Sequence, residues 1–143
     1  MAGIVVVRDI MSKDVKVVRS DSSVKEVVAT MNKFNIGSIL VVQGGRPVGI
    51  ISERDILRRV VEPCLAPEIL TARQVMTSPV VTIDETATVD EAAHLMTKRR
   101  VKKLPVMDKQ KLVGIVTFTD IASKVPTMLS IFEELLRPFH RSY

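Results

Sequence analysis

The sequence predicts a mixed α/β (α+β) chain: two β-α-β-β-α repeats packed as a pseudo-two-fold pair, followed by a short C-terminal helix. Three observations carry that expectation. The string "GIISERDI" at residues 49–56 returns as "GIVTFTDI" at 114–121. One constant offset, without a gap, lays residues 9–57 onto 74–122, pairing Met11 with Met76, Val24 with Val89, Glu26 with Glu91, Met31 with Met96 and Val48-Gly49-Ile50 with Val113-Gly114-Ile115. Each copy also runs through the same succession of β-rich and helix-periodic segments, the mark of a duplicated supersecondary unit. The expected division is repeat 1 at 1–60, a linker at 61–71, repeat 2 at 72–125 and a helical tail at 126–143.

Each repeat leads in with a short β-rich run, "VKVV" at 15–18 and "VVTI" at 80–83. A helix follows. Ser23-x-x-Glu26 and Thr88-x-x-Glu91 have the form of capping boxes, in which the hydroxyl takes a first-turn N–H and the Glu reaches back. Behind them Val24, Val27, Val28, Met31 and Val89, Ala92, Ala93, Met96 recur at i, i+3, i+4 and i+7, one buried helical face. Two strand-like runs come next. "SILVV" and "PVGIIS" flank Gln43-Gly44-Gly45-Arg46; "KLPVM" and "LVGIVT" flank Asp108-Lys109-Gln110-Lys111. Gly-Gly between β-branched runs signals a hairpin. A second helix, "ERDILRRVV" or "FTDIASKV", closes each repeat and stops near Pro63 or Pro126.

Composition narrows the class. Hydrophobic residues at 46% and charged residues at 26% describe a soluble globular protein. No run approaches the roughly 18 apolar residues of a membrane span, and the N-terminal "MAGIVVVRDIM" lacks the basic region of a secretory signal. The lone Cys64, read as a small linker residue, excludes an intrachain disulfide framework and fits a reducing cytoplasm. A net charge of +5 is modest. The basic residues bunch at Lys98, Arg99, Arg100, Lys102 and Lys103, a solvated helix end or a place to hold a phosphate-sized anion. Aromatics at 3% offer no base-stacking platform.

The repeated string itself admits two readings. Ser52-x-x-Asp55 and Thr117-x-x-Asp120 sit where a strand gives way to a helix. As structure they are capping boxes, with Asp at a position the helix dipole favours. As function, the helix start offers N–H groups to an anion, and an ionised Asp there can accept both hydroxyls of a ribose. Ribose and phosphate together make a nucleotide.

These residues, with Met11-Ser12 and Met76-Thr77 opening each copy, Leu104-Pro105-Val106 and the doubled "G-h-h-[ST]-x-x-D-[IL]", resemble a tandem pair of cystathionine-β-synthase (CBS) domains, a Bateman module, over residues 7–124. The resemblance implies a regulatory sensor of adenosine ligands without chemistry of its own. It also implies two clefts, each shared between repeats. Carried over, cleft A combines Ser52, Arg54 and Asp55 with Val80, Val81, Lys102, Lys103 and Pro105. Cleft B combines Thr117, Thr119 and Asp120 with Val15, Lys16, Gly37, Ser38 and Ile39. Repeat 1 departs from the family's "LPV", reading Ile39-Leu40-Val41. Cleft A gathers more positive charge and is expected to bind a phosphorylated ligand more tightly. AMP, ADP or ATP are the expected ligands; S-adenosylmethionine and NAD rank below them. The pair is expected to be a cytoplasmic homodimer acting on a separate, unidentified effector protein.

No enzyme is expected. "GGRPVG" lacks the Lys-Ser/Thr of a P-loop, and His94, His140 and Cys64 form neither a metal-ligand spacing nor a nucleophile–base pair. Two alternatives stand beside the sensor: a nucleic-acid-binding protein using the 98–103 run, and a dimerising structural module with empty clefts. In the tail, Met128, Leu129, Phe132, Leu135, Leu136 and Phe139 fall on one helical stripe, ready to cover its own repeat or a second copy.

Overall fold

The computed structural model describes residues 3–136, with side chains through residue 133. In chain order the elements are α1 (Val7–Ile10), β1 (Val17–Arg19), α2 (Val24–Phe34), β2 (Ser38–Gln43), β3 (Arg46–Ser52), α3 (Glu53–Ile56, continued by a π-helical turn over Leu57–Val61), α4 (Ala72–Val75), β4 (Ile83–Asp84), α5 (Val89–Arg99), β5 (Lys103–Asp108), β6 (Lys111–Thr117), α6 (Phe118–Lys124) and a 3₁₀ segment, Pro126–Leu136. Each repeat contributes one three-stranded sheet, β1-β2-β3 or β4-β5-β6, with a parallel pair followed by an antiparallel hairpin. The mixed α+β class and the doubled β-α-β-β-α order are as the sequence expects.

The chain forms two compact units. One is Lys16–Val80; the other joins the segment ending at Val15 to the chain from Val81 onward. Each unit therefore takes its lead-in from the opposite end of the chain's repeat pattern, and the reason lies in two dipeptides. In the first unit Thr77 bridges Ile50 through paired backbone hydrogen bonds of 2.8 and 3.0 Å. In the second, Ser12 bridges Ile115 through a pair of 2.9 Å. The Met before each dipeptide's hydroxyl residue lies across the repeated glycine. A Cβ on Gly114 would stand 2.6 Å from the Met11 sulfur and 2.8 Å from the Ser12 carbonyl oxygen. A Cβ on Gly49 would strike the Met76 sulfur outright. A glycine inside a strand marks such a close approach.

Within each unit the predicted helical face is the buried one. Val24, Val27 and Met31 pack with Val18, Ile39, Val41, Ile51 and Val60 in the first unit. Val89, Ala92, Ala93 and Met96 are buried in the second, as are Leu104, Val106, Val116 and Ile121. The hairpins share one register: Ser38 opposes Ser52 as Lys103 opposes Thr117, and each is irregular at the same place, between Val41 and Val42 or Val106 and Met107. Gly44 and Gly45 both take positive φ, 59° and 76°, the geometry a tight hairpin turn requires.

Four local expectations change. The lead-in strands begin only at Val17 and Ile83, because parallel partners exist only there: Val17 opposite Leu40, Ile83 opposite Val106. At Ser23 and Thr88 the hydroxyl half of the capping box forms, accepting the N–H of Glu26 at 3.1 Å and of Glu91 at 3.0 Å. The one-turn helices α1 and α4 carry too few residues to show a period in sequence. The tail winds as a 3₁₀ helix, so its stripe repeats at three residues per turn. Phe132 is fully buried and its ring meets Phe118 at 4.7 Å between centroids. The tail thus covers its own unit; the side chains of Leu135 and Leu136, and all of Phe139, lie outside the described residues.

Candidate functional site

Each repeated Ser/Thr-x-x-Asp motif is a complete capping box. In the first unit β3 ends at Ser52, whose hydroxyl accepts the Asp55 N–H at 3.2 Å while Asp55 Oδ2 accepts the Ser52 N–H at 2.9 Å. In the second, the Thr117 hydroxyl accepts the Asp120 N–H and Asp120 Oδ2 accepts the Thr117 N–H, both at 3.0 Å. The box turns each carboxylate back over its own helix start and holds it against the end of the sheet. Both readings of the string thus share one geometry, since capping engages only one carboxylate oxygen.

The other oxygen separates the two motifs. Asp55 Oδ1 accepts the Thr77 hydroxyl at 3.1 Å, the Ser52 hydroxyl adds a 3.1 Å bond to Oδ2, and Arg59 stands 3.8 Å from Oδ1. Asp55 is accordingly buried, its side chain only 12% exposed. Asp120 is half-buried, and its Oδ1 takes no protein donor among the described residues. Ser12, which the offset equates with Thr77, turns its hydroxyl to the Asp14 N–H instead, at 3.2 Å.

Arg59 and Thr77 are the residues that sequence reasoning missed. Arg59 donates to the carbonyls of Val75 and Met76 at 2.9 and 2.6 Å, closing the C-terminus of α4. Its counterpart Lys124 does the same for α1, donating to the Ile10 carbonyl at 3.0 Å. One terminal nitrogen of the Arg59 guanidinium, Nη1, makes both bonds and the 3.8 Å approach to Asp55 Oδ1, whereas the Lys124 ammonium bonds the one carbonyl. The available signal was the i, i+4 spacing of Asp55 and Arg59, which puts them on one helical face.

The remaining candidates fall as follows. Lys16, Gly37, Ser38, Ile39, Ser52, Arg54, Asp55 and Val80 belong to the first unit; Val15, Val81, Lys102, Lys103, Pro105, Thr117, Thr119 and Asp120 belong to the second. Each unit sets the start of its hairpin beside its own Asp motif. Gly37 gives its carbonyl to the Glu53 N–H at 3.0 Å, and Lys102 gives its carbonyl to the Phe118 N–H at 2.7 Å. Lys16 lies over the Phe34 ring at 4.2 Å. Arg54 and Thr119 are exposed. Burial holds the Lys103 ammonium below its ordinary pKa, because desolvation disfavours the charged form. Lys98 and Arg99 close α5 and Arg100 caps it in the left-handed conformation, so the basic run begins as a helix end.

His94 is exposed beside Asp90, one turn away, and Cys64 is exposed and free. Among the described residues no cluster of His, Cys, Asp or Glu could hold a metal ion, and no helix is long and apolar enough to cross a membrane. His140 lies outside the described residues.

Comparison with known proteins bears on the arrangement. The sequence model of the CBS domain matches twice, at residues 7–62 and 72–127. An uncharacterised protein of Methanopyrus kandleri is 34% identical over 135 residues, covering 93% of this chain and 69% of that protein. A CBS domain pair crystallised with 5′-methylthioadenosine and S-adenosyl-L-methionine aligns at 32% identity and a TM-score of 0.74, covering 87% of this chain and 98% of that one. A hexameric CBS-CP12 protein from bloom-forming cyanobacteria aligns at 25% identity and a TM-score of 0.74, over 86% of this chain and 69% of that one.

Proposed function

The chain belongs to the CBS-domain family, whose pairs are regulatory modules for adenosine ligands rather than catalysts, and on that premise we propose that it senses AMP, ADP or ATP and signals to a separate partner protein. One observation carries the reading: Asp120 is held at a strand-to-helix corner with one oxygen fixed by the Thr117 N–H and the other without a protein donor among the described residues. A half-committed carboxylate at such a corner suits a ribose, whose neighbouring hydroxyls are two donors. The related CBS pair that binds 5′-methylthioadenosine and S-adenosyl-L-methionine supports the adenosine part of the ligand.

The phosphate end is assigned to Ser52, Arg54, Lys102 and Lys103 among the cleft A residues and to Lys16, Thr117 and Thr119 among those of cleft B. Lys103 is the most telling of these. Its ammonium is already partly desolvated, so a phosphate oxygen would restore what burial removed. Val15, Gly37, Ser38, Ile39, Val80, Val81 and Pro105 are assigned to the adenine. The module works as a homodimer in this reading; the hexameric CBS-CP12 protein supports self-association in general and not that number of copies.

Thermal-shift and calorimetric titration with AMP, ADP, ATP, S-adenosylmethionine, NAD and adenosine tests the proposal. A ligand at about 100 times its Kd adds roughly 2.7 kcal/mol of stability. Stabilisation by an adenine nucleotide without turnover is expected. If none of the six moves the melting temperature or gives a saturable heat at millimolar concentration, the sensor reading falls.

A further inference from the structure

We propose that Met76 is a reversible oxidation site: a hydroperoxide converts its thioether to the sulfoxide and thereby releases Thr77 from Asp55. Met76 is partly exposed, whereas Met31 and Met96 are buried. This inference is independent of the nucleotide reading.

The Met76 sulfur has no polar neighbour and little room on its inner side. The thioether lies flat on Gly49: a Cβ built there would strike Sδ and stand 2.8 Å from Cγ and 3.0 Å from the Thr77 carbonyl oxygen. Beyond the glycine, the side chain packs against the apolar cluster that includes Ala72 and Val75. In the reaction a sulfur lone pair attacks the terminal peroxide oxygen. The S–O bond forms as the O–O bond breaks, and the remaining oxygen leaves with the proton as water or an alcohol. Sulfur loses two electrons and the peroxide gains them. The product carries a strongly polar oxygen between a glycine backbone and an apolar cluster, so burial there becomes unfavourable and the side chain turns out toward water.

Met76 is joined to Asp55 by two routes. Its carbonyl accepts Arg59 Nη1 at 2.6 Å, and that nitrogen stands 3.8 Å from Asp55 Oδ1. The next residue, Thr77, is held to Ile50 by two backbone hydrogen bonds and donates its hydroxyl to the same Oδ1 at 3.1 Å. Lifting the Met76 side chain off Gly49 therefore disturbs both groups that attend this oxygen. The other copy supplies the comparison. Met11 is also partly exposed and lies on Gly114 in the same way, its sulfur 2.6 Å from where a Cβ would stand. Ser12, however, turns its hydroxyl to the Asp14 N–H and makes no bond to Asp120 among the described residues. Oxidation at Met76 has a carboxylate to release, and oxidation at Met11 has none.

The test treats the full chain with hydrogen peroxide. Peptide mass spectrometry should show one added oxygen on Met76 while Met31 and Met96 stay unmodified. Exchange of the Thr77 and Ile50 amide hydrogens should quicken by about tenfold, the equivalent of one hydrogen bond, and methionine sulfoxide reductase should restore the original rate. The Ser52 N–H donates to Asp55 Oδ2 and so reports on that carboxylate. Its NMR resonance should shift in the same direction on oxidation as in Thr77→Val, and oxidation of Thr77→Val should add little. Met76→Leu keeps an apolar contact without a sulfur and should abolish every change. Met76→Gln should reproduce the fast exchange without peroxide. The proposal is overturned if Met76 stays reduced under conditions that oxidise free methionine, if its oxidation leaves Thr77 and Ile50 protected, or if the reductase cannot reverse it. Equal changes in Met76→Leu would place the effect at another residue and overturn it as well.

Discussion

Replacing the two motif aspartates one at a time should separate them by the state of one oxygen atom. Asp120 offers Oδ1 to a ribose hydroxyl with no protein bond to break among the described residues, so Asp120→Ala removes at least one charge-assisted hydrogen bond from the ligand. Such a bond contributes about 1.5–3 kcal/mol, or roughly 10- to 150-fold in Kd. At Asp55 the count differs. A carboxylate has about four acceptor positions, and Ser52 N–H, Ser52 hydroxyl and Thr77 hydroxyl already occupy three, at 2.9, 3.1 and 3.1 Å. Only one position is left, on the Oδ1 that Thr77 already shares, so one ribose hydroxyl can be accepted there. A second must displace Thr77, exchanging one charge-assisted bond for another of similar strength. Asp55→Ala should therefore weaken AMP by less than Asp120→Ala does, by no more than one such bond at the low end of its range, about tenfold.

Positive charge alone ranks the two motifs in the opposite order, since Arg54, Lys102 and Lys103 are expected with Asp55. Calorimetry with AMP and with adenosine, on both alanine variants and on Thr77→Val, distinguishes the two accounts. Thr77→Val keeps the shape of the side chain and frees Oδ1, so it should strengthen whatever binding Asp55 supports. Loss of tight AMP binding in Asp55→Ala, with Asp120→Ala silent, would refute the argument from hydrogen-bond occupancy and leave phosphate charge as the deciding factor.

Other consequences follow from packing and burial. Gly114→Ala should cost about 1–3 kcal/mol by urea denaturation, the range for overpacking, because its Cβ would meet the Ser12 carbonyl at 2.8 Å and backbone gives way poorly; an unchanged midpoint would show that the Met11-Ser12 bridge is not fixed. Phe132→Ala should cost about 3–5 kcal/mol, as expected for a buried ring, and a loss below about 1 kcal/mol would mean that the tail does not hold its place on α5 and α6. Lys103 has a folded-state pKa below its unfolded value of 10.5 because burial disfavours its charge. The unfolded chain therefore binds the extra proton, and stability should rise as pH climbs through the folded pKa toward 10.5. Lys103→Met should flatten that rise and melt higher at neutral pH; a parallel pH profile in wild type and variant would dispose of the argument.

What sequence could reveal depended on how far apart the interacting residues lie along the chain. Helix faces, hairpins and capping motifs are local, and local periods and turn residues specify them: Val24, Val27 and Met31 are buried, and the Gly-Gly turn forms. The repeat was legible because it compares the chain with itself. Its interior glycines carried a further signal, since a strand glycine implies something pressed against it. That Met11-Ser12 presses on Gly114 and Met76-Thr77 on Gly49 could not be read, because each copy contains a candidate of both kinds and nothing local says which pairs with which. The unequal state of the two carboxylates was hidden for the same reason. Asp55 and Asp120 share a local motif, and the difference arises from Thr77 and Arg59 on one side, Ser12 and Lys124 on the other. Duplication preserved the frame that places each carboxylate, while substitutions brought in from elsewhere in each unit decided what its second oxygen meets. A ligand site in this chain is therefore best sought where the two copies agree in backbone and disagree in side chain, as they do at the two Asp corners.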